Sequence, residues 1–188
     1  MAVNDLQGRS VLVIVTNHGV EQDELLVPVK HLRDNGATVD VAAEKAEPVH
    51  TLVGDKDPGK TMQPTHTLAD ADPLSYDLLI VPGGTLNADH LRMNRDAVTA
   101  VEDFVSAGRP VAAICHGPWA LVEADAVRGK TLTSYPALRT DIRNAGGTWV
   151  DQPAVRDDSG GWTLITSRTP DDLDAFLRET EAALTTAP

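Results

Sequence analysis

The sequence predicts an α/β fold built on a mostly parallel sheet covered by helices on both faces. Three observations carry this reading. Short unbroken apolar runs recur, as in Val11-Leu12-Val13-Ile14-Val15 and Leu78-Leu79-Ile80-Val81, and such runs suit strands buried on both faces. Stretches with helical spacing alternate with them. Glycines stand where the helices should stop, at Gly36, Gly108 and Gly146-Gly147, as expected of helix C-termini.

Each element follows from a local pattern. Val11 to Val15 reads as the first strand. Asp23 to Asn35 then takes helical spacing, with Leu25, Val29 and Leu32 on one face. Val39 to Ala43 reads as a second strand. Residues 44–75 are less regular and suit a small hairpin or edge strands. Asp77 to Val81 is a further buried strand, ended by Pro82-Gly83-Gly84. A helix follows from about Arg95 to Ala107, with Val98, Val101, Phe104 and Val105 aligned.

Pro110 to Ile114 is the next strand, and it runs into Cys115-His116-Gly117-Pro118 and a helix. Thr131 to Tyr135 suits a short strand and Pro136 to Asn144 a helix. Residues 148–156 and 162–167 read as two strands joined by Asp157-Asp158-Ser159-Gly160-Gly161. Pro170 to Leu184 closes the chain as an amphipathic helix with Pro170 near its first turn. No repeat or linker interrupts the pattern, so residues 1–188 read as a single domain.

Composition narrows the function. A chain of 188 residues can bury roughly 70% of its unfolded surface, so it needs no staple. Aromatics are only 4%, so Val, Leu, Ile and Ala must build the core. The formal net charge of −12 repels phosphate backbones, which argues against a nucleic-acid partner. A single cysteine excludes an internal disulfide. The opening MAVNDLQGRS has no apolar signal core, and the run that follows it is too short to span a bilayer. The expectation is a cytoplasmic protein without membrane contact. The histidines show no metal-ligand spacing and one Cys supplies no soft cluster, so neither a metal nor another cofactor is expected.

In open α/β sheets ligands bind outside the C-terminal ends of the strands. Cys115 stands there, on a strand-to-helix turn. A helix N-terminus favours thiolate, which predicts a thiol that titrates below the ordinary value of ~8.5. The competing reading is a buried, inert cysteine. Glu21, Asp23 and Glu24 open the first helix. Dipole complementarity accounts for Asp23. Glu24 precedes Leu25 and Leu26 on the inward side, and a carboxyl there could exchange hydrogen bonds with the thiol. Pro82-Gly83-Gly84 is either a plain turn or a source of backbone oxyanion donors. His116 either braces the turn or pairs with Cys115. Tyr135 either packs or reaches the pocket. No histidine follows His116, so neither an α/β-hydrolase triad nor a class I glutamine amidotransferase triad can be built.

Taken together, Ala113-Ile114-Cys115-His116-Gly117-Pro118 resembles the nucleophile motif of the ThiJ/PfpI superfamily. Four further segments match in order: Val20-Glu21-Gln22-Asp23-Glu24-Leu25, Val81-Pro82-Gly83-Gly84, Leu132-Thr133-Ser134-Tyr135-Pro136, and Ser167-Arg168-Thr169-Pro170-Asp171-Asp172-Leu173. The last two resemble the PfpI-type intracellular protease branch.

The resemblance implies a flavodoxin-like three-layer α/β/α sandwich with Cys115 as nucleophile and Glu24 hydrogen-bonded to it. It implies oxyanion donors from the backbone near Gly84 and His116, with Glu21, Gly83 and Tyr135 lining the pocket. It implies His116 as general base, oriented by Asp89 of a neighbouring subunit in a homodimer or hexamer. The implied activity is that of a cysteine-dependent stress enzyme acting on electrophilic carbonyls, as glyoxalase, protein deglycase or intracellular peptidase. Its substrates would be small carbonyls, peptides or glycated proteins. The alternative is a redox sensor or holdase chaperone in which Cys115 is oxidised.

Overall fold

Apolar runs of four and five residues lie side by side at the centre of the structure, a computed structural model that describes residues 6–186. The first half of the chain contains β1 (Ser10–Ile14), β2 (His18–Glu21), α1 (Gln22–Asp34), β3 (Thr38–Ala43), β4 (Val49–Val53), β5 (Asp57–Met62), β6 (His66–Thr67), β7 (Leu78–Val81) and α2 (Thr85–Leu91). The second half contains α3 (Arg95–Ser106), β8 (Val111–Ile114), α4 (Pro118–Glu123), β9 (Thr131–Leu132), α5 (Arg139–Asn144), β10 (Thr148–Trp149), β11 (Ala154–Asp157), β12 (Leu164–Ser167) and α6 (Leu173–Thr186).

The main sheet has seven strands in the order β11-β12-β8-β7-β1-β3-β6. Every pairing in it is parallel except that of β11 with β12. Successive side chains on a strand point to opposite faces, and the chain uses both. Val11, Val13 and Val15 pack with Leu25, Val29 and Leu32 of α1 and Phe176 and Leu184 of α6. Leu12 and Ile14 face the other way, toward Val101 and Phe104 of α3 and Leu121 of α4. Two apolar cores on either side of one sheet make the three-layer sandwich with a flavodoxin-like, mostly parallel centre.

The structure departs from the sequence reading at several elements. Residues 148–156 do not form one strand. β10 leaves the main sheet to pair with β9, and only β11 joins the edge. Pro153 lies between them, where its missing N–H interrupts a ladder. The strand expected over Thr131 to Tyr135 shrinks to the two residues of β9. The hairpin expected within 44–75 is β4 and β5, but it forms a separate three-stranded sheet with the unforeseen β2. α2 was likewise unforeseen. The expected helices from Pro136 and Pro170 each begin with a 3₁₀ turn.

Lys130 ties the small β9–β10 sheet to the β11–β12 turn. Its buried ammonium donates to the carbonyls of Asp157, Ser159 and Trp162 and lies 4.1 Å from the Trp162 ring centroid. Among the described residues no helix is long and apolar enough to cross a membrane. The first part of the segment read as lacking a signal core, residues 1–5, lies outside the described residues.

Candidate active site

β1, β7 and β8 end at the same edge of the sheet, and the turns that follow them meet around Cys115. β8 delivers the cysteine. The residue directly after Ile114 has φ of 61°, a left-handed conformation that costs a non-glycine residue roughly 1–2 kcal/mol. Neighbouring backbone holds it there. Cys115 N–H donates to the Ser167 carbonyl at 3.0 Å, and the Cys115 carbonyl accepts from Tyr135 N–H at 2.8 Å. Gly117 closes the turn onto β7, where an added Cβ would lie 2.3 Å from the Val81 carbonyl oxygen.

The turn after β7 supplies the facing wall. Asn87, fully buried on α2, donates to the Pro82 and Gly83 carbonyls and accepts from Thr16 N–H and Oγ1–H. It thereby pins the Pro82-Gly83-Gly84 turn to the end of β1. The backbone N–H groups of Gly84 and His116 face the Cys115 sulfur. The two expected oxyanion donors therefore converge on the thiol. Gly83, expected to line the pocket, instead lies between Glu24 and Cys115, and its N–H donates to Glu24 Oε2 at 2.8 Å.

Glu24 is fully buried in the first turn of α1. Its Oε1 has no hydrogen-bond partner, and the carboxyl interacts with the Cys115 thiol beside it. Burial pushes the Glu24 carboxyl up to about 8, against the Gly83 N–H, which lowers it.

The expectation of an acidified thiol is not met. Burial pushes Cys115 up, and the Glu24 negative charge pushes in the same direction, while the Gly84 and His116 N–H groups oppose both. The start of α4 does not reverse this. α4 begins only at Pro118, which has no N–H to offer. Because Glu24 keeps its proton up to about 8, its repulsion of a thiolate is mostly absent at neutral pH.

His116 does more than brace the turn. Its Nδ1 lies 3.2 Å from Cys115 Sγ. The ring stacks on Tyr135 at 4.5 Å between centroids and tilts against Trp119 at 5.3 Å. Burial pushes its pKa down, and the negative charge of Asp55 pulls it up.

Asp55 and Thr85 were not foreseen. Thr85 Oγ1 lies 3.4 Å from His116 Nε2 and donates to Asp55 Oδ2 at 2.6 Å, while Thr85 N–H donates to Asp55 Oδ1 at 2.7 Å. Asp55 sits in the β4–β5 turn, where it and Gly54 both have positive φ, 59° and 62°. Glu21 holds that turn by accepting from Gly54 N–H at 2.9 Å. The Gly54-Asp55 pair was the one available hint, since such residues favour tight hairpin turns. Nothing local shows that the turn reaches His116.

Glu21, Glu24, Asp55, Cys115, Tyr135 and Thr169 line a cavity of about 350 Å³. Glu21 and Tyr135 thus both line this cavity. Asp89 does not join this group within the chain; it lies on the exposed side of α2. Among the described residues no group of three or more His, Cys, Asp or Glu is placed to hold a metal ion.

The model of the DJ-1/PfpI family matches residues 9–182. The chain is 37% identical to protein/nucleic acid deglycase 2 of Escherichia coli, over 91% of this chain and 95% of that protein. It is 36% identical to a deglycase of Pyrococcus horikoshii, over 89% of this chain and 95% of that protein. Among solved structures it resembles DJ-1beta of Drosophila melanogaster with a TM-score of 0.83 and 29% identity, covering 94% of this chain and 90% of that one.

Proposed function

The chain belongs to the DJ-1/PfpI family, and from that premise we propose that it is a deglycase-type enzyme whose Cys115 thiol attacks electrophilic carbonyls. The observation that carries the reading is the elbow itself. Cys115 is held at φ 61° at a cavity wall, with Glu24 on one side and the Gly84 and His116 N–H groups on the other. The relatives named as deglycases fit this choice of reaction.

For a dicarbonyl such as methylglyoxal, the sulfur bonds to the aldehyde carbon and the carbonyl π bond breaks. The oxygen, held by the Gly84 and His116 N–H groups, takes a proton, and a hemithioacetal forms without a leaving group. A proton then leaves the former aldehyde carbon and another arrives at the adjacent carbon, through an enediol. Glu24, protonated at neutral pH, and His116 are the groups placed to carry these protons. Water cleaves the resulting thioester and restores the thiol. The sum is methylglyoxal plus water to lactic acid. An adduct of such a carbonyl with an amine, a hemiaminal, enters after it expels the amine and regenerates the aldehyde that the sulfur attacks.

A second reading, peptidase activity, draws on the 3.2 Å contact between Cys115 Sγ and His116 Nδ1. An imidazole there can take the thiol proton and pass it to a leaving amine. Peptide bonds are poorer electrophiles than aldehydes, which ranks this activity second. Assembly as a homodimer or hexamer, with Asp89 presented to a neighbouring His116, belongs to the same branch. Light scattering that finds only an active monomer removes that part.

The deciding assay is lactate formation from methylglyoxal without glutathione, in wild type, Cys115→Ala and Glu24→Gln. Turnover that requires Cys115 and falls at least tenfold in Glu24→Gln is expected. Efficient peptide cleavage with no lactate reverses the ranking. No turnover in either assay leaves the redox-sensor or holdase reading.

A further inference from the structure

The side chains behind His116 form an ordered chain of donors and acceptors. An ionised carboxylate only accepts hydrogen bonds. Asp55 accepts two from one residue, the Thr85 N–H and the Thr85 hydroxyl. A hydroxyl has a single proton, and Thr85 commits it to Asp55. Toward His116 Nε2, 3.4 Å away, the Thr85 oxygen can therefore only accept. Nε2 then carries the ring proton, and the lone pair of the neutral imidazole lies on Nδ1, which faces Cys115 Sγ at 3.2 Å.

We infer that Asp55 and Thr85 are positioning residues that fix the proton of neutral His116 on Nε2 and so reserve Nδ1 as the acceptor for the Cys115 thiol. The relay lies within one chain, although Asp55 and Thr85 are 30 residues apart. The β4–β5 turn carries the carboxylate to the first residue of α2. Glu21 fixes that turn through Gly54 N–H, and Tyr135 holds the imidazole plane by stacking. When Nδ1 takes the thiol proton, the S–H bond breaks, the N–H bond forms and the charge divides between thiolate and imidazolium. Asp55 faces the positive partner of that pair.

This assignment deepens the proposed function, since it concerns how the same thiol is activated. Its test needs no substrate. Ring ¹⁵N shifts of labelled His116 report the tautomer, and iodoacetamide reports the rate at which the sole cysteine is alkylated. The wild type is expected as the Nε2–H tautomer. Thr85→Val, which removes the acceptor, should populate Nδ1–H and slow alkylation about tenfold, the worth of one hydrogen bond to a charged group. Thr85→Ser should restore both. Asp55→Asn should reverse the hydroxyl, because an amide can donate to it, and give Nδ1–H as well.

A wild type with its proton on Nδ1 overturns the assignment. So do variants that keep the Nε2–H tautomer and the wild-type alkylation rate while lowering only the melting temperature, for Asp55 would then merely close the first turn of α2. A confirmed tautomer shift together with no lactate formation removes the proposed function and leaves the relay standing.

Discussion

Gly83 stands so close to Cys115 that a Cβ added to it would lie 2.7 Å from the cysteine's own Cβ. The same added carbon would meet Glu24 Oε2 at 2.6 Å and His116 N at 2.8 Å. Space, not backbone conformation, demands glycine here, and the three groups it would displace are the ones that surround the thiol.

Gly83→Ala should therefore lower stability by about 2 kcal/mol, in the range of an overpacked core, and should slow Cys115 alkylation as well. Gly129→Ala is the comparison. Gly129 has φ of 76° and nothing near its missing Cβ, so only backbone strain of about 1 kcal/mol applies and alkylation should stay unchanged. Urea midpoints and alkylation rates of the two variants check this. Equal rates in both would show that Gly83 does not shape the thiol's surroundings.

Stability should fall as pH rises, because of Glu24. Its carboxyl titrates near 4.5 in the unfolded chain and about 8 in the folded one. Below the lower value both states hold the proton and the group contributes no slope. Between the two values only the unfolded chain ionises, so stability drops by about 1.4 kcal/mol per pH unit. Glu24→Gln should match the wild type near pH 4 and exceed it by a few kcal/mol near pH 8. Urea unfolding at both values measures it, and a parallel pH dependence in the two proteins would exclude a buried neutral Glu24.

The strained elbow gives an order of stabilities at position 115. Glycine tolerates φ of 61° without penalty, alanine pays the ordinary left-handed cost, and a β-branched side chain is worse. Cys115→Gly should be more stable than Cys115→Ala by about 1 kcal/mol, and Cys115→Val should be the least stable. Thermal melts of the three decide it. Alanine equal to or above glycine would show that the elbow relaxes when the thiol is gone.

The centre of the main sheet was legible because β1, β7 and β8 are apolar runs buried on both faces, which have no other place, whereas the edge strand β6 is only His66–Thr67 and carries no such signal. Cys115 was legible for a related reason, since the run Val111 to Ile114 must end somewhere and the CHGP segment follows at once. β2 was hidden because its four residues include Gly19 at φ 93° and make only an interrupted pairing with β4. α2 was hidden because its buried residues, Asn87, Ala88 and Leu91, include only one large apolar side chain. The sequence alone does not decide the His116–Cys115 contact, as neighbouring side chains on a turn can diverge. The sequence points the thiol's shift the wrong way because a helix start is visible in it, whereas the depth of burial and the approach of Glu24 are not. Asp55 lay furthest from view, since its role needs a hairpin to fold across to α2.

That hairpin belongs to no layer of the sandwich. β5 buries none of its residues, and β4 supplies only Val49, Thr51 and Leu52 to the interior. Yet Val53, Gly54 and Asp55 form one side of the cavity. This wall of the cavity is thus a separate unit from the seven-stranded sheet, joined to the thiol's surroundings through Glu21 and Thr85. Exchange of the β4–β5 segment would leave the seven-stranded sheet untouched, but a grafted hairpin has to keep an acceptor where Asp55 meets Thr85; within that constraint, hairpins of different length and charge would give one rigid elbow different entrances.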